Sequence, residues 1–169
     1  MGMFDTVQFI GPSPITCAAG HENNDFQTKD LDCSMQHYTV IGGEVYEVPS
    51  SAIVEKYEQD AEGKHWLQWK RLLGKTALSG TATIYTTCKH CLPVLTLSNV
   101  TFFGDRVQEH YPRVENEVEF KAGRLVSSAP TDRNQTREDV KKEITARCPA
   151  EVLDDTERLA VRHFELLKS

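Results

Sequence analysis

The sequence predicts an α+β fold, an antiparallel β-sheet or open barrel clamped at one end and followed by a C-terminal helical pair. Three observations predict it. Runs of alternating apolar and polar residues, broken by turns at Gly42-Gly43 and Ala122-Gly123, occupy the first part of the chain. Two knuckles, Cys17-Ala-Ala-Gly-His21 and Cys88-Lys-His-Cys91, could draw distant segments together. After Pro130 the composition turns to Thr, Asp, Arg, Asn and Gln, and helical signals begin. The boundaries that follow are 1–130 for a β-rich knuckle domain and 131–169 for a helical appendage.

From His37 to Val48 the residues alternate around Gly42-Gly43, the chemistry of a tight hairpin turn with positive φ. Gly80–Thr87 is rich in β-branched residues and leads directly into Cys88, so that knuckle should sit where a strand ends. Leu92 to Phe103 supplies another strand or two. Between Arg113 and Phe120, Val114, Val118 and Phe120 fall on one face and Glu115, Glu117 and Glu119 on the other, the period of a half-buried strand with an acidic solvent face. Ala122-Gly123 then turns it back into Arg124 to Ser128.

Thr136 followed by Asp139 is an N-cap arrangement ahead of Val140 and Ile144. Pro149 suits the first turn of a second helix, whose stripe would be Val152, Leu159, Phe164 and Leu166-Leu167. Trp66, Trp69 and Leu73 recur at the spacing of one helix face, which makes the basic and aromatic stretch Trp66 to Arg71 a packing element before it is a base-stacking one.

The formal net charge is −6. Residues 1–130 hold 16 acids against 11 bases, and the remainder holds nine against eight, so neither part carries the basic footprint of a general nucleic-acid binder. No apolar run approaches the roughly 20 residues needed to span a bilayer. The first residues lack a basic segment followed by an apolar stretch, so no secretory signal is expected and the compartment is read as cytoplasmic. Five cysteines then belong among reduced thiols or metal ligands before disulfides.

Cys17, His21, Cys88 and Cys91 make a Cys3His set, the donors a structural zinc ion takes in tetrahedral geometry. Ala18, Ala19 and Gly20 leave the first knuckle free to curl, and Gly20 can enter backbone conformations closed to other residues. A full set leaves no open position for water, which points to scaffolding. Three alternatives stand beside it: ligand sets that use Cys33, His37 or His90, cysteines without metal, and redox chemistry at Cys88 and Cys91. The last lacks the helix that should begin at such a motif.

The opening Met1-Gly-Met-Phe-Asp, the segment Phe26-Gln-Thr-Lys-Asp-Leu31 with Cys33 after it, the hairpin from Tyr38, and Val118-Glu-Phe-Lys-Ala-Gly-Arg-Leu-Val126 together resemble a family of small uncharacterised bacterial and phage proteins. The resemblance covers roughly the first 130 residues, and some members carry zinc-ribbon-like knuckles. Where such a knuckle would hold two cysteines, this chain has Cys17 alone, so His21 must complete it. The family implies no activity.

The expected function is therefore a small acidic zinc-stabilised interaction module, phage-derived and docking a host protein through its sheet or its C-terminal helices. Two other readings are carried with it. One is a hydrolase or transferase using Lys29 and Asp30; the other is nucleic-acid binding through Trp66 to Arg71.

Overall fold

The computed structural model describes residues 3–47, 76–100 and 104–153. Among the described residues nine strands run in the order β1 (Asp5–Ile10), β2 (Asp25–Thr28), β3 (His37–Ile41), β4 (Glu44–Tyr46), β5 (Gly80–Thr87), β6 (Val94–Val100), β7 (Gly104–His110), β8 (Arg113–Lys121) and β9 (Arg124–Pro130). Among the described residues one helix, α1 (Arg137–Arg147), and a 3-10 turn at Pro149–Glu151 follow. The chain divides into two compact units, Met1–Thr86 with Val114–Asn134, and Thr87–Arg113 with Gln135–Ser169.

In the first unit seven strands close into a barrel in the order β1-β2-β5-β8-β9-β4-β3. The expected antiparallel sheet or open barrel is corrected on two points: the barrel is closed, and one pair within it is parallel. β2 lies antiparallel on one side of β1. The loop after β2 carries the chain to the other side, so β3 enters parallel to β1, from Thr6↔His37 to Ile10↔Ile41. Parallel neighbours need a crossover, and here β2 and its loop provide it.

That loop is tied down by a buried carboxylate. Asp5 is fully buried and accepts three backbone hydrogen bonds, from the amides of Cys33 (2.8 Å), Ser34 (3.0 Å) and Gln36 (2.9 Å). Cys33 and Met35 both hold positive φ, at 50° and 62°, a region where a Cβ is crowded. The carboxylate's three acceptor bonds keep the loop in that conformation.

The expected hairpins are present. Gly42 and Gly43 have φ of 55° and 81°, the double positive turn whose twist matches the strands it joins. Ala122 and Gly123 repeat it between β8 and β9, at 49° and 76°. At Gly123 the freedom is needed twice, because a Cβ there would lie 2.0 Å from the Thr76 carbonyl oxygen. The Gly123 amide also donates to Leu78 at 2.8 Å, and its carbonyl accepts from Val45 at 2.9 Å. Gly123→Ala is expected to cost about 3 kcal/mol, combining left-handed backbone strain with overpacking. A denaturant midpoint unchanged from wild type would count against this account of the turn.

β4 and β9 meet at a single register pair, Glu44↔Arg124, reinforced by the Leu125 amide donating to Gly43 at 2.8 Å. On β9 the register slips between Glu119↔Ser127 and Phe120↔Leu125, which leaves Val126 as the extra, exposed residue of a bulge. The interior holds Val7, Phe9, Phe26, Tyr38, Val40, Ile84, Val118 and Phe120, with Phe9 and Phe26 edge to face at 5.8 Å.

Tyr38 and Tyr46 are buried, and their hydroxyls donate to Asp32 (2.9 Å) and Glu44 (3.0 Å). Burial first, then those carboxylate partners, raise both phenol pKa values above the ordinary range. A raised folded-state pKa means the folded chain holds protons that the unfolded chain has lost. Stability from these groups is therefore complete below about pH 10 and declines as pH rises further, by up to about 1.4 kcal/mol per pH unit for each tyrosine. Denaturant titrations from pH 8 upward should show that decline, and it should weaken in Tyr38→Phe.

The acidic solvent face expected on β8 holds only in part. Glu117 and Glu119 are exposed, but Glu115 is buried at 4% exposure. The loop after β9 covers it: Thr131 donates its hydroxyl to the Glu115 carboxylate at 3.0 Å, and Asn134 bonds both the amide and the carbonyl of Glu115.

In the second unit β6 and β7 pair antiparallel along their full length, from Val94↔His110 to Val100↔Gly104. Helix α1 starts with the expected cap: Thr136 accepts from the Asp139 amide, and the Asp139 carboxylate accepts from the Thr136 amide. The Thr136 hydroxyl and amide hold the Asp139 carboxyl below its usual range. Val140 is the helix's buried anchor.

The second helix of the expected pair is not formed where it should begin. Pro149 opens a single 3-10 turn, after which Val152 is extended and bridges to Thr96. The Leu153 amide donates to Leu95 at 3.0 Å, so the sheet takes the backbone groups a helix would have used. The rest of that proposed helix, with Leu159 and Phe164, lies outside the described residues, as does the stretch Trp66 to Arg71. Among the described residues no helix is long and apolar enough to cross a membrane.

Candidate metal centre

The first knuckle is a three-residue hairpin loop. The Cys17 amide donates to the His21 carbonyl at 2.9 Å, the Gly20 amide returns to the Cys17 carbonyl at 2.9 Å, and Thr16 bridges to Glu22. Gly20, at φ of 86°, takes the left-handed position that such a loop requires before the chain re-enters its partner strand. Asn23, itself buried, donates its side-chain amide to the His21 carbonyl at 2.9 Å. Both side chains of the knuckle are thereby turned to one side, with Cys17 Sγ 3.5 Å from His21 Nδ1.

The second knuckle follows β5 without a break. Its turn is closed by the Cys91 amide donating to the Cys88 carbonyl at 3.3 Å, and the Cys88 amide is held by the Pro112 carbonyl at 2.9 Å. Lys89, at the tip of the turn, lies over the Tyr111 ring, 4.1 Å from its centroid. Pro93 after the turn blocks a helix and releases the chain into β6.

The ligand atoms of Cys17, His21, Cys88 and Cys91 all lie within 4.8 Å of one another. Cys17 and Cys88 are buried, while Cys91 is only partly so. Four such donors could hold a metal ion. In a tetrahedral shell with metal–sulfur bonds of about 2.3 Å and metal–nitrogen bonds of about 2.0 Å, a sulfur–nitrogen edge is about 3.5 Å long. The Cys17–His21 separation has that length.

The alternative ligands named from the sequence stand outside this cluster. Cys33 donates its thiol to the Lys29 carbonyl at 2.8 Å. His37 begins β3, exposed, and paired in register with Thr6. His90 is exposed between the two cysteines of its knuckle. Cys148 is exposed at the end of α1.

The segment Phe26 to Leu31 is structural along most of its length. Phe26 enters the core, Thr28 donates its hydroxyl to the Thr83 carbonyl at 2.8 Å, and the Asp30 carboxylate accepts the Thr83 amide at 2.7 Å. Lys29 is exposed. In the barrel unit an apolar groove of about 360 Å³ is lined by Phe9, Pro12, Val40 and Leu125, among others, with no titratable side chain.

The residues that the sequence reading missed are the ones that support others. Asn23 carries no motif and Asp5 enters only as the last residue of the opening Met-Gly-Met-Phe-Asp; their partners are backbone groups, in the case of Asp5 about 30 residues away. A buried Asp among apolar strand positions is the single sequence sign of the first. Comparison of the chain with protein-family models, with curated proteins and with solved structures found no match. The four-donor cluster and the barrel are thus the grounds on which function is argued.

Proposed function

We propose that Cys17, His21, Cys88 and Cys91 hold one zinc ion as a structural staple, and that the chain is a zinc-stabilised module that docks a protein partner. The observation that carries the first half is the convergence of four soft and borderline donors within 4.8 Å, three of them thiols. That donor set suits zinc over hard cations, which take oxygen. Four protein ligands complete a tetrahedron, so a bound ion would keep no position for a reacting water.

What supports docking is charge. Among the described residues of the barrel unit eleven acids face four bases, which favours a basic partner and discourages phosphate backbones. A host protein as the target, and a reducing compartment that keeps thiolates available as ligands, are the form of this reading we adopt.

Protein purified without added metal should carry one zinc per chain by elemental analysis. Replacement by cobalt(II) should give the visible absorption of a tetrahedral thiolate site. Purified chain with no metal and no cobalt spectrum would sink the staple. For docking, the metal-loaded full chain should retain a defined protein from a bacterial extract and release it on chelation. Retention no greater than that of an unrelated acidic protein would sink that half.

A further inference from the structure

The end of the barrel where β1 begins and β3 enters carries an apolar cluster that the core does not use. Met3 is 61% exposed, Phe4 36% and Met35 67%. Backbone pairing places them together: the Thr6 amide donates to the Gln36 carbonyl at 2.9 Å, and Thr6 faces His37 in the parallel register. The Asp5 carboxylate, next to Phe4 in the chain, also takes the amides on either side of Met35, so both segments meet at the same end of the barrel.

Two further features separate this cluster from ordinary surface residues. Met35 adopts φ of 62°, a conformation that an exposed methionine gains nothing by holding. The amides on either side of it, those of Ser34 and Gln36, both donate to the buried Asp5 carboxylate. The fold therefore fixes an apolar side chain outward on a strained but immobilised loop, an arrangement that lowers the ordering cost of binding. The surroundings are acidic. Asp30 and Asp32 are exposed in the same loop against Lys29 alone, within a unit that is itself strongly acidic.

We propose that Met3, Phe4 and Met35 form the docking face of this module and that its ligand is a basic peptide segment carrying an apolar side chain. The proposal rests on the docking reading above and names its surface. The flexible thioether of Met35 and the ring of Phe4 would receive the apolar group, and the acidic rim would receive the flanking Lys or Arg side chains. The same rim disfavours nucleic acid and anionic membrane surfaces.

The test is selection of short random displayed peptides on the metal-loaded full chain, followed by affinity measurement against Met35→Asp and Phe4→Asp. Aspartate tolerates the left-handed region, so the first variant keeps the loop, and its melting curve checks that it does. Selected peptides should be enriched in Lys or Arg next to Leu, Met or an aromatic residue. Each variant should weaken them by about 10-fold or more, the loss expected of a central anchor. Binding should also fall as salt rises. Basic peptides that bind wild type and both variants equally would overturn this surface while leaving the docking reading intact. Selection of neutral or acidic peptides would overturn the ligand chemistry. Absence of any enrichment over a blank surface would overturn the face and the docking reading together.

Discussion

Cys88→Ser protein is expected to lose the zinc ion proposed above and with it on the order of 5 kcal/mol of stability, a large part of what a domain of this size possesses. Cys88 is fully buried, directly follows β5 and has its amide fixed by Pro112, so its sulfur cannot move out of the cluster. A serine oxygen there is a poor ligand at neutral pH and leaves a buried hydroxyl in place of a thiolate. The remaining donors are three, and a site that depends on four converging atoms is lost as a unit. Thermal melts with and without chelator provide the check. Wild type should drop on chelation to the midpoint of Cys88→Ser, which should not itself respond, and Cys148→Ser, exposed and outside the cluster, should behave as wild type. A chelator-insensitive wild type with a midpoint equal to that of Cys88→Ser would mean that the four side chains are neighbours and nothing more.

Asp5→Asn should cost about 3–4 kcal/mol despite its near-identical size. The two carboxylate oxygens of Asp5 take three amide hydrogens from Cys33, Ser34 and Gln36. An asparagine supplies one oxygen and turns an NH2 group toward at least one of those donors, leaving it buried without an acceptor. The loop then loses what holds Cys33 and Met35 at positive φ, where left-handed backbone costs each of them about 1–2 kcal/mol. The consequence extends to the barrel seam, because the same loop delivers β3 to β1. Denaturant unfolding measures the cost, and amide exchange at residues 33, 34 and 36 locates it. A loss below about 1 kcal/mol with unchanged exchange would show that the loop is held by other contacts.

Legibility in the sequence followed how local each signal was. The hairpins at Gly42-Gly43 and Ala122-Gly123 were legible because turn chemistry and alternation lie within a few residues of each other. β5 was legible from β-branched content, and the helix start from Thr136 and Asp139. The four donors were legible from residue type and spacing, although 67 positions separate His21 from Cys88; their convergence is a tertiary fact. β7 offers a single buried-type residue, Val107, and exists because each of its residues pairs with β6. β2 is four residues long with one apolar side chain. β1 does alternate, with Val7 and Phe9 inward, but its first inward residue is an Asp whose burial makes sense only once the amides of the distant loop are in place. Glu115 fails for the same reason, since it is Thr131 and Asn134 that enclose it.

The separation of the two knuckles also sets an order of events in synthesis. A nascent chain leaves the ribosome from its N-terminus, so Cys17 and His21 emerge long before Cys88 and Cys91 are translated. In that interval the first knuckle offers two donors, half of a tetrahedron, and can hold an ion only weakly. On the zinc reading proposed above, capture of the ion would wait for the knuckle after β5, so that metallation would mark the moment when the early and late segments have found each other.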